Sequence, residues 1–269
     1  MRTMIPLLRA AAVCCLIAML AACSSAPKSK EPAAAEVPPP AKPAEVSLAE
    51  RARIHTELGA GYYERGQMDV AIDELNEAVK LDPNRAGAYN IYGLVYAMLG
   101  ENAKAEQNFQ RALQLAPQDS EIRHNWGWYL CTTGHPREAI PEFELAIRNP
   151  LYKTPEIALI NAGRCSMSFG DIANADIYFK RALAVSPNNP TAAYGLALLA
   201  YKASKYTDAR GWIRPAVQQA NPTAPALYLG MCVERKLSDR QAELSYISQL
   251  RNRYPDSAET KAIATGNCE

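Results

Sequence analysis

The chain has 269 residues, with 29 Lys and Arg against 28 Asp and Glu, a formal charge of +1 and 48% hydrophobic residues. That balance lacks the basic excess of a nucleic-acid binder, and no nucleic-acid partner is expected. The length suits one or two compact domains or one extended repeat array, with ample material for a buried core.

Residues 1–22 carry Arg2 and Arg9 and then an unbroken apolar run from Ala10 to Ala22. A basic start and an apolar stretch too short to span a bilayer describe an export signal, removed before folding. The segment ends Leu20-Ala21-Ala22-Cys23, which resembles the bacterial lipobox. Cys23 is therefore expected to be acylated and to become the mature N-terminus. Three acyl chains, at about 0.8 kcal/mol per buried CH₂, hold far more firmly than the single-chain marginal case. Ser24 stands where a retention aspartate would keep a lipoprotein in the inner membrane. By resemblance to sorted lipoproteins, the expected location is the outer membrane, facing the periplasm.

Residues 23–47 follow as a tether. They hold Pro27, Pro32, Pro38, Pro39, Pro40 and Pro43, several alanines and no aromatic residue, so nothing in them can pack. At ~3.1 Å per residue such a segment reaches roughly 70 Å from the bilayer. Ser47-Leu48-Ala49-Glu50 then matches a capping box and marks the start of the folded part.

From residue 48 to 256 the chain repeats itself every thirty-four residues. Gly59, Gly93 and Gly127 keep this spacing, as do Ala71, Ala105 and Ala139, then Ala78, Ala112 and Ala146. The pattern is that of the tetratricopeptide repeat: Tyr92-Gly93-x₂-Tyr96, Ala105-x₃-Phe109 and Pro117 reproduce its marks. Small residues recur where the two helices of a hairpin cross, Phe109, Phe143 and Phe179 fill the space beside them, and Pro83, Pro117 and Pro187 stop the second helix. Six repeats run over 52–85, 86–119, 120–153, 156–189, 190–222 and 223–256. A two-residue slip falls at Asn149-Pro150-Leu151-Tyr152-Lys153-Thr154-Pro155, and the fifth repeat has Ala197 in place of glycine. Residues 257–269 form a capping segment, in which Ser257 to Thr265 can supply a short last helix. Strand signals are lacking. The expected fold is all-α: a right-handed α-solenoid of six tetratricopeptide-type hairpins.

Motifs for chemistry are missing. His55, His124 and His135 never pair closely on one helix face; Cys131 and His135 are separated by the helix-ending Gly134. No phosphate loop, nucleophile elbow or zinc-protease motif occurs. The expectation is a protein that is not an enzyme and uses no cofactor, metal or small-molecule substrate.

Four cysteines survive signal removal and lipidation: Cys131, Cys165, Cys232 and Cys268. Cys131 and Cys165 occupy similar heights on equivalent helices of repeats three and four, so a bridge is expected in an oxidising compartment, against the alternative of two small buried thiols. A Cys232–Cys268 bridge stays open, because it needs the C-terminal segment folded back on repeat six.

First helices of such an array line its concave face. The register places Tyr63, Asn90, Leu94, Asn125, Trp128, Asn161 and Arg164 there as candidate partner-binding residues. Asparagines can bond a peptide backbone in either sense and tryptophan anchors interfaces. The alternative puts Trp128 in the core and leaves the asparagines merely solvated.

Two stretches go beyond the generic repeat: Asn125-Trp126-Gly127-Trp128-Tyr129-Leu130-Cys131, and Asn149-Pro150-Leu151-Tyr152-x-Thr154-Pro155 followed by Asn161-Ala162-Gly163-x-Cys165. With the lipobox, tether and repeats, they make the chain resemble the type IV pilus biogenesis and stability lipoproteins, the PilF/PilW-like pilotins, over essentially its whole length. The resemblance implies a pilotin that helps the outer-membrane secretin to reach its membrane and multimerise. It also implies a pairing of Cys131 with Cys165. The rival expectation is an outer-membrane adaptor of the same build that scaffolds cell-wall hydrolases or proteases.

Overall fold

The structure is a computed structural model that describes residues 46–266 and Cys268. The expected signal peptide, the acylation site Cys23 and the tether as far as residue 45 lie outside the described residues. Ser47 Oγ accepts a hydrogen bond from the Glu50 amide at 3.2 Å and opens the first helix. Only this half of the expected capping box is made. The Glu50 carboxylate goes instead to the Arg53 guanidinium, at 2.6 and 2.9 Å, where a charge-assisted two-point contact outcompetes a single backbone amide.

All secondary structure among the described residues is helical. Helices α1 (Leu48–Glu64) and α2 (Met68–Leu81) form the first hairpin, α3 (Ala86–Met98) and α4 (Asn102–Leu115) the second, and α5 (Ser120–Thr132) and α6 (Pro136–Arg148) the third. Then come α7 (Pro155–Ser168) with α8 (Ile172–Val185), α9 (Pro190–Lys202) with α10 (Tyr206–Val217), and α11 (Ala224–Lys236) with α12 (Arg240–Arg253). Ser257 caps a short α13 (Ala258–Ala262), continued by a 3-10 turn at Ile263–Thr265. Each helix packs most heavily on its hairpin partner, and successive first helices, from α1 to α11, also touch one another. They make one continuous face.

A size match between two positions sets the hairpin crossing. A Cβ added to Gly93 would lie 2.7 Å from the Phe109 ring; at Gly163 the distance to Phe179 would be 2.8 Å, and at Gly59 to Leu75 also 2.8 Å. The rings occupy the volume that the missing side chain leaves. The fifth hairpin solves the same problem differently: Ala197 faces Ile213, a narrower side chain, and both are buried in one cluster. The glycine there is displaced to Gly195, where a Cβ would meet Phe179 of the preceding hairpin at 2.6 Å.

The turns inside the hairpins need a left-handed residue. Gly66, Gly100, Gly134 and Gly170 take φ of +74°, +74°, +90° and +83°, while Ser204 and Ser238 hold the equivalent places at +59° and +61°. Serine is not at ease in that conformation, so the last two hairpins carry local strain that the first four avoid.

Asn149 to Thr154 make a joint of six residues where the α2–α3, α4–α5 and α8–α9 joints have four. Asn149 steadies it, its Nδ2 donating to Ser120 Oγ at 3.1 Å and its Oδ1 accepting from the Leu151 amide at 3.0 Å. Beside this joint Cys131 and Cys165 are joined by a disulfide between α5 and α7, Cα to Cα 5.9 Å. A second disulfide links Cys232 of α11 to Cys268. It folds the C-terminal segment back on the sixth hairpin, together with the Tyr201 hydroxyl donating to the Cys268 carbonyl at 3.1 Å and Arg235 donating to the Gly266 carbonyl at 3.0 Å.

Candidate functional site

The face built by the first helices divides into three parts. Around α1, α3 and α5 the candidate residues serve the packing as much as the surface. Tyr63 and Leu94 are half-buried against the core of the first two hairpins. Asn90, expected on the exposed face, is buried at 3% exposure. Its Oδ1 accepts from Asn125 Nδ2 at 3.2 Å, which ties α3 to α5. A partner could reach Asn90 only by breaking that pair. Trp128 is half-buried and packs against the clusters of both the second and the third-to-fourth hairpins. Its neighbour Trp126 stacks on Tyr129 at 5.4 Å, and both rings pack on Phe109 of the hairpin before. The tryptophan-rich run is thus first of all a seam between repeats.

The slipped joint forms the second part, a hollow of about 540 Å³ lined by Asp119, His124, Asn125, Asn149, Tyr152 and Lys153 among others. His124 is its centre. Asn161 Nδ2 lies 2.8 Å from His124 Nε2, and the Tyr152 hydroxyl lies 2.6 Å from Nδ1. Asn161 donates, so Nε2 accepts and the ring proton sits on Nδ1, facing Tyr152. Burial pulls the His124 pKa from 6.5 to about 4, and burial also pushes the Tyr152 hydroxyl above its ordinary value. The group is a neutral hydrogen-bonded strut. No second imidazole lines this hollow, and among the described residues no group of three His, Cys, Asp or Glu could hold a metal ion.

The third part lies over α7, α9 and α11. A groove of about 750 Å³ is lined by Arg164, Met167, Tyr194, Leu198, Lys202 and Pro225, with the α10–α11 joint at its rim. It runs into a second hollow of about 800 Å³, which shares Tyr194, Leu198, Lys202 and Pro225 and is walled on the far side by Glu259, Ala262 and Cys268. Arg164 is the one candidate residue from the sequence that lines it. Met167, Tyr194, Leu198 and Lys202 escaped the register argument. The signal that could have found them is the i, i+4 run Pro190, Tyr194, Leu198, Lys202 along α9, a mixed aromatic and aliphatic stripe ending in a cation.

Comparison with known proteins agrees with this architecture. The model of the tetratricopeptide repeat family matches residues 56–120 and 167–225. The chain is similar to the type IV pilus assembly protein PilF of Pseudomonas aeruginosa, 29% identical over 210 residues, which cover 78% of this chain and 83% of that one. Among solved structures it is similar to PilW, described as a widely conserved type IV pilus biogenesis factor. The identity is 32% and the TM-score 0.72, over 79% of this chain and 98% of PilW. The solved Pseudomonas aeruginosa PilF superposes with a TM-score of 0.73 at 27% identity, over 82% of this chain and 99% of that structure.

Proposed function

The chain belongs to the PilF/PilW family of tetratricopeptide-repeat type IV pilus assembly proteins, and from that premise we propose that it is an outer-membrane lipoprotein pilotin for the pilus secretin. The observation that carries the reading is the match to PilW along 98% of its length at 32% identity. Structures that share only the generic repeat cover as much of this chain, but at 15–17% identity.

In this reading Cys23 is acylated and holds the protein to the periplasmic leaflet of the outer membrane, and the proline-rich stretch behind it sets a search radius. The helical array offers a rigid surface that keeps a secretin subunit near the bilayer at high effective concentration, so that subunits meet and close into a ring. Rigidity matters here, because a surface that is already ordered loses little entropy on capturing a client. The work is binding and placement, with no bond made or broken.

The test is deletion of the gene followed by denaturing electrophoresis of outer membranes. The reading requires that secretin multimers fall and surface pili vanish, and that the intact gene restores both. Undiminished multimers with normal piliation would refute it. A Cys23→Ala variant, checked for incorporation of labelled fatty acid, tests the anchor separately.

A further inference from the structure

We propose that the trough over α9 and α11 is a docking site for an extended peptide segment of a partner polypeptide, one that alternates carboxylate side chains with aliphatic or aromatic ones. This deepens the scaffold reading above and rests on it only for the identity of the client.

Charge carries the argument. Arg164, Lys202 and Lys236 sit on three successive first helices, α7, α9 and α11, and all three line the trough and are exposed. None of the three forms an ion pair among the described residues, unlike Arg123 with Glu142 and Arg181 with Glu144. The single carboxylate on the lining is Glu259. The lining thus sets three exposed cations against one carboxylate. Such a rim attracts acidic segments and rejects basic ones.

The floor between those cations is apolar and aromatic: Met167, Tyr194, Leu198 and Leu229. Tyr194 also brings a hydroxyl with no hydrogen-bond partner among the described residues, available to a peptide carbonyl. Burying aliphatic or aromatic side chains on that floor supplies affinity, while the cations select for charge. The far wall is in place beforehand. The Cys232–Cys268 disulfide, the Tyr201 bond to the Cys268 carbonyl and the Arg235 bond to the Gly266 carbonyl hold the C-terminal segment there without help from a ligand. The trough has two continuous lobes, which suits an extended segment better than a single small molecule.

The experiment uses the full chain and a fluorescein-labelled short peptide of alternating aspartate with leucine and tyrosine, followed by fluorescence anisotropy. One comparator peptide carries lysine for aspartate and another carries serine for leucine and tyrosine. The acidic apolar peptide should bind best, and more weakly as salt rises. Arg164→Glu with Lys202→Glu should weaken it by about tenfold or more, since reversal converts two attractions into repulsions. Lys80→Glu, on α2, should change little. Circular dichroism checks that each variant remains helical. Equal binding of the acidic and basic peptides, no binding of the acidic one, or equal effects of the groove and α2 variants would overturn the proposal. The functional reading fails separately. Deletion that leaves secretin multimers intact removes the pilotin role while peptide capture stands, whereas loss of multimers without peptide capture removes only this site.

Discussion

The carboxamide of Asn161 donates to Nε2 of His124 across 2.8 Å, tying α7 to α5 through one buried imidazole that also meets the Tyr152 hydroxyl of the irregular joint. Burial sets the ring's pKa at about 4 against 6.5 for a free side chain. Between those values the unfolded chain binds a proton that the folded one refuses. The stability held by the neutral ring is therefore whole above about pH 6.5 and drains away as pH falls towards 4. From about pH 7 to about pH 5 the loss comes to roughly 2 kcal/mol. Denaturant titrations at the two pH values should show this loss in the parent chain and a much smaller one in His124→Gln. Equal losses in both would mean that the ring titrates freely.

The fit between Gly93 and Phe109 predicts an overpacking penalty with a specific cure. Gly93→Ala sets a Cβ 2.7 Å from the ring and should cost about 1–3 kcal/mol. Adding Phe109→Ile imitates the Ala197 and Ile213 pair of the fifth hairpin and should recover part of that loss. Thermal unfolding of the single and double variants decides, and a double variant less stable than both singles would contradict the size-matching account.

Ser204 has φ of +59° where the first four hairpins place glycine. Ser204→Gly should relieve the left-handed strain and raise stability by about 0.5–1 kcal/mol, even though glycine gives the unfolded chain more freedom. Calorimetry showing a lower melting temperature would mean that the serine side chain contributes more than the strain costs.

The Cys131–Cys165 bridge closes a loop of 34 residues and spans the joint where the repeat slips. Such a crosslink stabilises by about 4 kcal/mol through the entropy of the unfolded chain. Cys131→Ala with Cys165→Ala should lose most of that, and reductant should no longer affect the third and fourth hairpins. Amide exchange would show the change as faster opening of α5 to α8. Unaltered exchange there would show that packing alone holds the joint.

Much of the fold was legible because a hairpin of fixed geometry recurs: where two helix axes must approach, the chain repeats glycine or alanine every thirty-four residues, and Pro83, Pro117 and Pro187 punctuate the exits. The surface was less legible. Asn90 lies in the expected register but is buried, because its fate depends on Asn125 thirty-five residues later offering a matching amide. The trough depends on still longer connections. Its far wall is held in part by Tyr201 meeting the carbonyl of Cys268, sixty-seven residues on, and by Cys232 and Cys268 closing the fold-back. Local periodicity carries no trace of such a return.

Site-directed photocrosslinking in living cells tests the central claim most directly, with a photoreactive side chain in place of Tyr194 on the trough floor. The account predicts a covalent adduct with the pilus secretin, identified by mass spectrometry, that weakens when Lys202→Glu is added and is missing when the reactive group replaces Ile177 on the outer side of α8. Adducts with cell-wall hydrolases or proteases in place of the secretin, or equal secretin adducts from both positions, would contradict it.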